Sequence, residues 1–363
     1  MGEISSKACI AVDVMGSDRG AGAIIAGVCQ ALKENKGDIK IIAVGDEGEI
    51  KENLRLHGFY KDSRIEIHHA SQVIEMSEKP IQAMRSKKDS SMMRAIDLAK
   101  IGAADAILSC GNTGALMAAG TIKLRTMAGI ERPALGAVIP RDGKNFILVD
   151  VGANPDPRPT NMLDNAILGA NYARVAGIVE EGKMPKVGLL SNGTEDGKGN
   201  MLTQNAHILL NNSKNVVNYA GLIEGFQVFQ GDCDVIICDG FTGNVLLKTL
   251  EGIMKMLKGM LKEELTSNIL RKFGALLSMG AFQGVKNRLP VEKFSGAPLL
   301  GLNKLIVKGH GSSDQAQVAG ALGIAIKCVR RRLNESIEKD LAKIQLEAEK
   351  KKAVESETRN ENE

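Results

Sequence analysis

Apolar positions along the chain fall into two rhythms. Short runs rich in β-branched residues recur at Ala8–Val14, Ile39–Gly45, Ile65–Ala70, Ala104–Ser109, Leu135–Ile139, Phe146–Val151, Val187–Leu190, Val216–Ala220, Val235–Cys238 and Leu305–Val307. Between many of them lie stretches with helical spacing: Gly22–Asn35, Ser90–Gly102, Thr113–Met127, Asn161–Gly177 and Asn200–Leu210. Strands alternating with helices build βαβ units and a parallel sheet. The runs are continuously apolar, as strands covered on both faces are. The pattern predicts an α/β fold, a mostly parallel Rossmann-like sheet with helices on both faces, in one catalytic domain over residues 1–332.

Two segments depart from this rhythm. Glu251–Arg288 is rich in Met and Leu, with Ile253, Leu257, Leu261 and Leu265 spaced by four and Ile269, Leu270, Phe273, Leu276 and Leu277 extending the stripe. It predicts an amphipathic helical insert over 251–300. Basic residues dominate its polar positions, which suits an anionic membrane surface. A Met-rich stripe suits core packing or a dimer interface as well, and the spacing leaves these readings open. The candidate membrane contacts are Leu276, Leu277, Met279 and Phe282. Residues 333–363 are highly charged and predict a helix that frays into a disordered tail.

Composition narrows the function classes. The chain has 363 residues, 40 of them glycine, only 3% aromatic and no Trp, with a net charge of +4. So few aromatics and so small a charge exclude the stacking platforms and basic stripes of nucleic-acid binders. The opening Met1–Lys7 is polar, without a signal-like apolar stretch. No apolar run reaches the roughly 20 residues that span a bilayer. Six scattered cysteines without C-x-x-C indicate a reducing, cytoplasmic setting. The five histidines lack metal-ligand spacing, and neither a metal nor a cofactor is expected.

Glycine concentrates where strands end. Six strand ends run into Gly/Asn/Asp/Ser/Thr loops at 12–18, 109–114, 150–154, 191–200, 239–244 and 308–314. In a parallel sheet the carboxyl ends share one edge and ligands bind there, so six loops are expected to converge on one cleft. A strand, a tight turn and a helix start place backbone N–H groups and the helix dipole at one point, which is an anion site. The candidate phosphate- or substrate-binding residues are Asp13, Gly16, Asn112, Thr113, Gly114, Asn154, Gly199, Asn200, Asp239, Thr242, Gly243, His310, Ser312 and Ser313. Lys198, flanked by two glycines, is placed to present a cation to a phosphate or a developing oxyanion. Arg85, Lys87 and Lys88 form a basic patch suited to an acidic protein surface. The loops are not a Walker A motif, no G-x-G-x-x-G occurs, and no G-x-S-x-G elbow supplies an acyl-serine nucleophile.

AVDVMGSD, EKPIQAMRSKKDSSM, GNTGALMAAG, LVDVGANPDPRP, VGLLSNGTEDGKGN, DGFTGNVLLKTLEG and GHGSSD follow one another between Ile10 and about Ala325. In their order and spacing the chain resembles the phosphate acyltransferases of bacterial phospholipid synthesis, the PlsX family. The resemblance implies transfer of a long-chain fatty acyl group from acyl carrier protein to inorganic phosphate, giving an acyl phosphate that a membrane glycerol-3-phosphate acyltransferase consumes. It implies a fold similar to isocitrate/isopropylmalate dehydrogenases and phosphate acetyltransferases, a homodimer, peripheral membrane association, and no metal or nucleotide. It also implies that Lys198 and Asn244 are the catalytic pair. The departures are Ser17 in place of a usual glycine, Cys110 in place of alanine, and weak likeness across 251–300. Two rival readings are a coenzyme-A-dependent transferase of small acyl groups and a non-catalytic membrane-bound scaffold.

Overall fold

The computed structural model describes residues 7–35, 38–288 and 295–360. Residues 1–6, 36–37, 289–294 (within the expected insert) and 361–363 (the end of the expected tail) lie outside the described residues.

The first half of the chain winds β1 (Ala8–Asp13), α1 (Gly20–Glu34), β2 (Ile39–Gly45), α2 (Glu47–Leu56), β3 (Ile65–His69), α3 (Pro80–Ser86), α4 (Ser91–Lys100), β4 (Ala106–Ser109), α5 (Thr113–Leu124) and β5 (Ala134–Ile139). The second half continues with β6 (Phe146–Val149), α6 (Pro159–Ala176), β7 (Val187–Ser191), α7 (Met201–Asn212), β8 (Tyr219–Glu224), β9 (Val235–Ile237), α8 (Gly240–Thr266), α9 (Ile269–Leu277) and α10 (Met279–Arg288). It closes with β10 (Gly296–Leu300), β11 (Leu305–Gly309), α11 (Gln315–Arg330) and α12 (Leu333–Asn360).

The strands form one 11-stranded sheet in the order β3-β2-β1-β4-β11-β10-β5-β6-β9-β7-β8. Successive residues of a strand bury on opposite faces. Ile10 and Val12 join one apolar cluster with α1, α6 and α11, while Ala11 joins the other with α4 and α5. Cover on both faces is the reason these strands lack polar alternation.

The sheet is mostly parallel, as expected, but its sense reverses in the middle. β10 pairs antiparallel with both β11 and β5, and β5 pairs antiparallel with β6. β6, β9, β7 and β8 are parallel to one another and therefore opposed to β1, β4 and β11. This corrects the expectation that all six loops leave one edge: the two sets of carboxyl ends leave opposite edges of the sheet.

The helical insert is also bounded differently from the expected 251–300. Its first helix, α8, begins at Gly240, and residues 296–300 are strand β10 inside the sheet. The run GAPLL is short and carries Gly and Pro, so it has little β-signal of its own; it is a strand because β5 and β11 flank it. The C-terminal helix runs to Asn360, beyond the start of the expected tail, and anchors through buried Leu333, Ile337 and Leu341, spaced by four.

Candidate functional site

The loops after β1, β4 and β11, neighbours in the sheet, form a first cluster. Asp13 is buried at the end of β1 and accepts hydrogen bonds from the hydroxyls of Ser91 and Ser109, both at 2.6 Å. Burial pushes its carboxyl up, against those two hydroxyls. Ser109 Oγ in turn accepts from the Gly111 N–H, and a Cβ on Gly16 would come within 2.9 Å of Gly111 Cα. Asp13 therefore ties three loops together rather than facing solvent.

The Asn112 side chain is also committed. Its Oδ1 caps α5 by accepting from Ala115 N–H at 3.0 Å, while Nδ2 donates to the carbonyls of Met76 and Glu78. What the GNTG loop leaves exposed is the start of α5 at Thr113 and Gly114. Ser17, the residue that departs from the family pattern, donates through Oγ to the Gly311 carbonyl at 3.0 Å and so joins the first loop to the last. In that last loop, His310 Nδ1 accepts from Ser312 N–H, and partial desolvation lowers the His310 pKa. Ser313 is buried beside Cys110, whose thiol burial pushes up to about 11.

The loops after β6, β9 and β7, again neighbours, form a second cluster. Asp150 follows β6, and its carboxylate collects the N–H groups of Leu135, Gly152, Ala153 and Asn154 at 2.6–3.1 Å. Asn154 spends its Nδ2 on the Pro133 carbonyl at 2.7 Å. Against this rigid loop stands the first turn of α8. Asp239 caps it, Oδ1 accepting from Thr242 N–H and Oδ2 from Thr242 Oγ1. Gly240 packs on the Asn154 backbone. Asn244, next along the helix, is exposed and rests its side chain against Gly152.

Lys198 is supplied by the loop after β7. Asn200 caps α7, accepting from Thr203 N–H at 2.9 Å. Gly193 lies under the Lys198 stem, where a Cβ would meet Cγ at 2.6 Å. Lys198 and Asn244 are exposed, and neither side chain has a hydrogen-bond or ion-pair partner among the described residues. They leave the same sheet edge, because β7 and β9 are parallel neighbours with Leu189 opposite Ile237. The loop that carries Lys198 and the helix that carries Asn244 therefore leave adjoining strands at one edge, where the dipole of α8 favours an anion.

No hydrogen bond among the described residues joins the two clusters. The link is electrostatic: Lys248 and Glu251, two and three turns along α8, lie within reach of His310. Asp150 and Gly152, outside the candidate set read from sequence, organise the second cluster; the legible signal was the DVGAN loop at a strand end. Among the described residues, no group of three or more His, Cys, Asp or Glu is arranged to hold a metal ion.

The basic patch is thinner than its sequence. Lys87 Nζ is held by the Val73 carbonyl and the Glu78 carboxylate at 2.6 and 2.7 Å, whereas Arg85 and Lys88 are exposed. In the helical arm, Leu276, Leu277, Met279 and Phe282 are 60%, 74%, 61% and 36% exposed. No helix among the described residues is long and apolar enough to cross a membrane.

Comparison with known proteins gives the site its context. Residues 8–336 match the family described as "Fatty acid synthesis protein". A protein from Methylococcus capsulatus named "Phosphate acyltransferase" is 39% identical over 322 residues, covering 89% of this chain and 93% of its own. One of the same name from Bacillus cereus is 42% identical, covering 86% and 92%. In fold, the chain is similar to the EutD phosphotransacetylase from Staphylococcus aureus, with a TM-score of 0.59 at 16% identity over 90% of this chain and 96% of that one. By extent and identity of the match, the chain belongs to the phosphate acyltransferase family, a family of transferases of fatty acid and phospholipid synthesis.

Proposed function

We propose that the protein moves a long-chain fatty acyl group from the thioester of acyl carrier protein to inorganic phosphate, at the second cluster. The observation that carries this is the pair Lys198 and Asn244: exposed, without a side-chain partner among the described residues, and carried by the segments that leave adjoining parallel strands at one sheet edge. Phosphate sits at the first turn of α8, around Thr242 and Gly243, and at the loop of Gly199 and Asn200, its charge offset by the helix dipole and Lys198. A phosphate oxygen attacks the thioester carbonyl. Asn244 donates to the developing oxyanion, collapse of the tetrahedral intermediate breaks the C–S bond, and the carrier thiolate leaves and takes a proton from solvent. Phosphate is the nucleophile, so no protein nucleophile is needed. Holding it beside the carbonyl supplies the proximity term of catalysis.

Exposed Arg85 and Lys88 offer the acidic carrier protein a docking charge, with Lys87 bracing their turn. The arm from α8 to α10 divides its work. Its stem pairs with a second copy in a homodimer, and Leu276, Leu277, Met279 and Phe282 at its tip rest on the cytoplasmic membrane surface. There the acyl phosphate passes to a membrane glycerol-3-phosphate acyltransferase.

The test mixes the protein with long-chain acyl carrier protein and phosphate, then traps acyl phosphate as hydroxamate. Phosphate-dependent hydroxamate is expected; none overturns the reading. Equal turnover with a short-chain coenzyme A thioester favours the small-acyl alternative.

A further inference from the structure

Lys198 lies between Gly197 and Gly199, each with φ of +90°. Backbone flanked by two glycines has more conformations open to it than any other, so the loop alone does not hold its lysine. A further restraint comes from α7. Gln204, half-buried on its first turn, sends Nε2 to the Gly197 carbonyl at 2.6 Å and to the Gly199 carbonyl at 3.1 Å, one on each side of Lys198. A carboxamide carries two N–H donors, which serves both carbonyls at once. Asn192 Oδ1 accepts from Gly199 N–H at 2.9 Å, and Lys198 N–H donates to the Glu195 carbonyl at 3.1 Å. With both flanking carbonyls turned toward α7, the Lys198 stem lies across Gly193. The α7 platform is fixed by the Asn200 cap and by buried Ala206 and Leu210.

We propose that Gln204 is a positioning residue for Lys198, clamping the glycine-flanked loop so that the ammonium meets phosphate in one place. This rests on the assignment of Lys198 to the transfer. Gln204 is too far along the loop's own helix to be read as part of the motif, and its hydrogen bonds go to backbone, so only the tertiary arrangement exposes the role. A displacement of about 1 Å at a reacting group is enough for a loss of about 100-fold.

The test compares Gln204→Ala and Gln204→Met in the full chain. Met keeps the length and packing of the stem without the donors. With thermal midpoints confirming the fold, kcat/KM for phosphate should fall about tenfold or more, between no displacement and a full 1 Å one, while KM for the acyl donor stays unchanged. A general packing defect would move both. In a second arm, peptide mass mapping follows acetylation of Lys198 by acetic anhydride, and both variants should label faster than the parent. Either kcat/KM for phosphate within twofold of the parent or unchanged Lys198 labelling overturns the proposal. If the parent makes no acyl phosphate, the function reading fails instead, and the labelling arm still decides the clamp.

Discussion

Gly243 of α8 lies so close under Asp150 that a Cβ on it would come within 1.9 Å of the Asp150 carbonyl oxygen. The helix that carries Asn244 is thereby seated directly on the loop that follows β6. Any side chain at this position has to lift the helix or bend the loop, and backbone on both sides leaves no flexible atom to give way.

Gly243→Ala should therefore cost about 1–3 kcal/mol of stability, the range for overpacking. It should also lower acyl phosphate formation by an order of magnitude or more, because Asn244 moves with the first turn. Urea unfolding and the hydroxamate assay measure the two effects. Parent-like activity would show that the seat is not needed for turnover.

Asn244→Ala removes a donor to the proposed oxyanion without touching a protein partner. The expected loss is about 100- to 1,000-fold in kcat, as for other single oxyanion donors, with no change in thermal midpoint. Lys198→Ala should raise KM for phosphate and lower kcat, also without loss of fold, since the ammonium has no hydrogen-bond or ion-pair partner among the described residues. Either variant with full turnover would remove that residue from the mechanism.

The arm is tested by charge. Leu277 is exposed, so Leu277→Glu should leave stability within about 0.5 kcal/mol, as for ordinary surface substitutions. Co-sedimentation with anionic vesicles should fall severalfold. Unchanged sedimentation would assign the exposed stripe to something other than lipid.

Asp164, on α6 beside Glu131 and Asn161, is lifted by burial from the ordinary 3.8 to about 6. A raised folded pKa means that the folded state binds the proton more tightly. The stability from this group is fully present below about pH 4 and is lost as pH rises through 6. A lift of that size corresponds to roughly 3 kcal/mol, and partial exposure reduces it to on the order of 1–2 kcal/mol. Asp164→Asn should flatten the stability profile between pH 4 and 7. Urea midpoints at both pH values measure this; an unchanged pH dependence would show that Asp164 is solvated like a surface carboxyl.

Much of the fold was legible along the chain. β1, β2 and β9 lie within a residue of their apolar runs, because a strand buried on both faces announces itself without help from its neighbours. β8 was less well placed: the run Val216–Ala220 precedes most of the strand, Tyr219–Glu224, since Val216 and Val217 end a turn that packs under α7. β10 was hidden inside the insert. Of the candidate residues, Lys198 and Asn244 stand without a side-chain hydrogen-bond or ion-pair partner among the described residues. Asn112, Asn154 and Lys87 do not, because each found backbone carbonyls or a carboxylate within reach that no local pattern reveals.

By itself, the sequence determined the alternation of strands and helices, the glycine-rich strand ends and the family, since these depend on residues near one another and on motifs in order. The tertiary structure decided which strand ends share an edge. A strand's sense in a sheet is set by its non-local pairing: β10 lies antiparallel between β11 and β5, which share one sense, and the antiparallel pairing of β6 with β5 reverses the second half relative to the first. That reversal divides one expected cleft into two clusters and leaves Lys198 and Asn244 on adjoining strands, with the helix that holds one of them seated on Asp150.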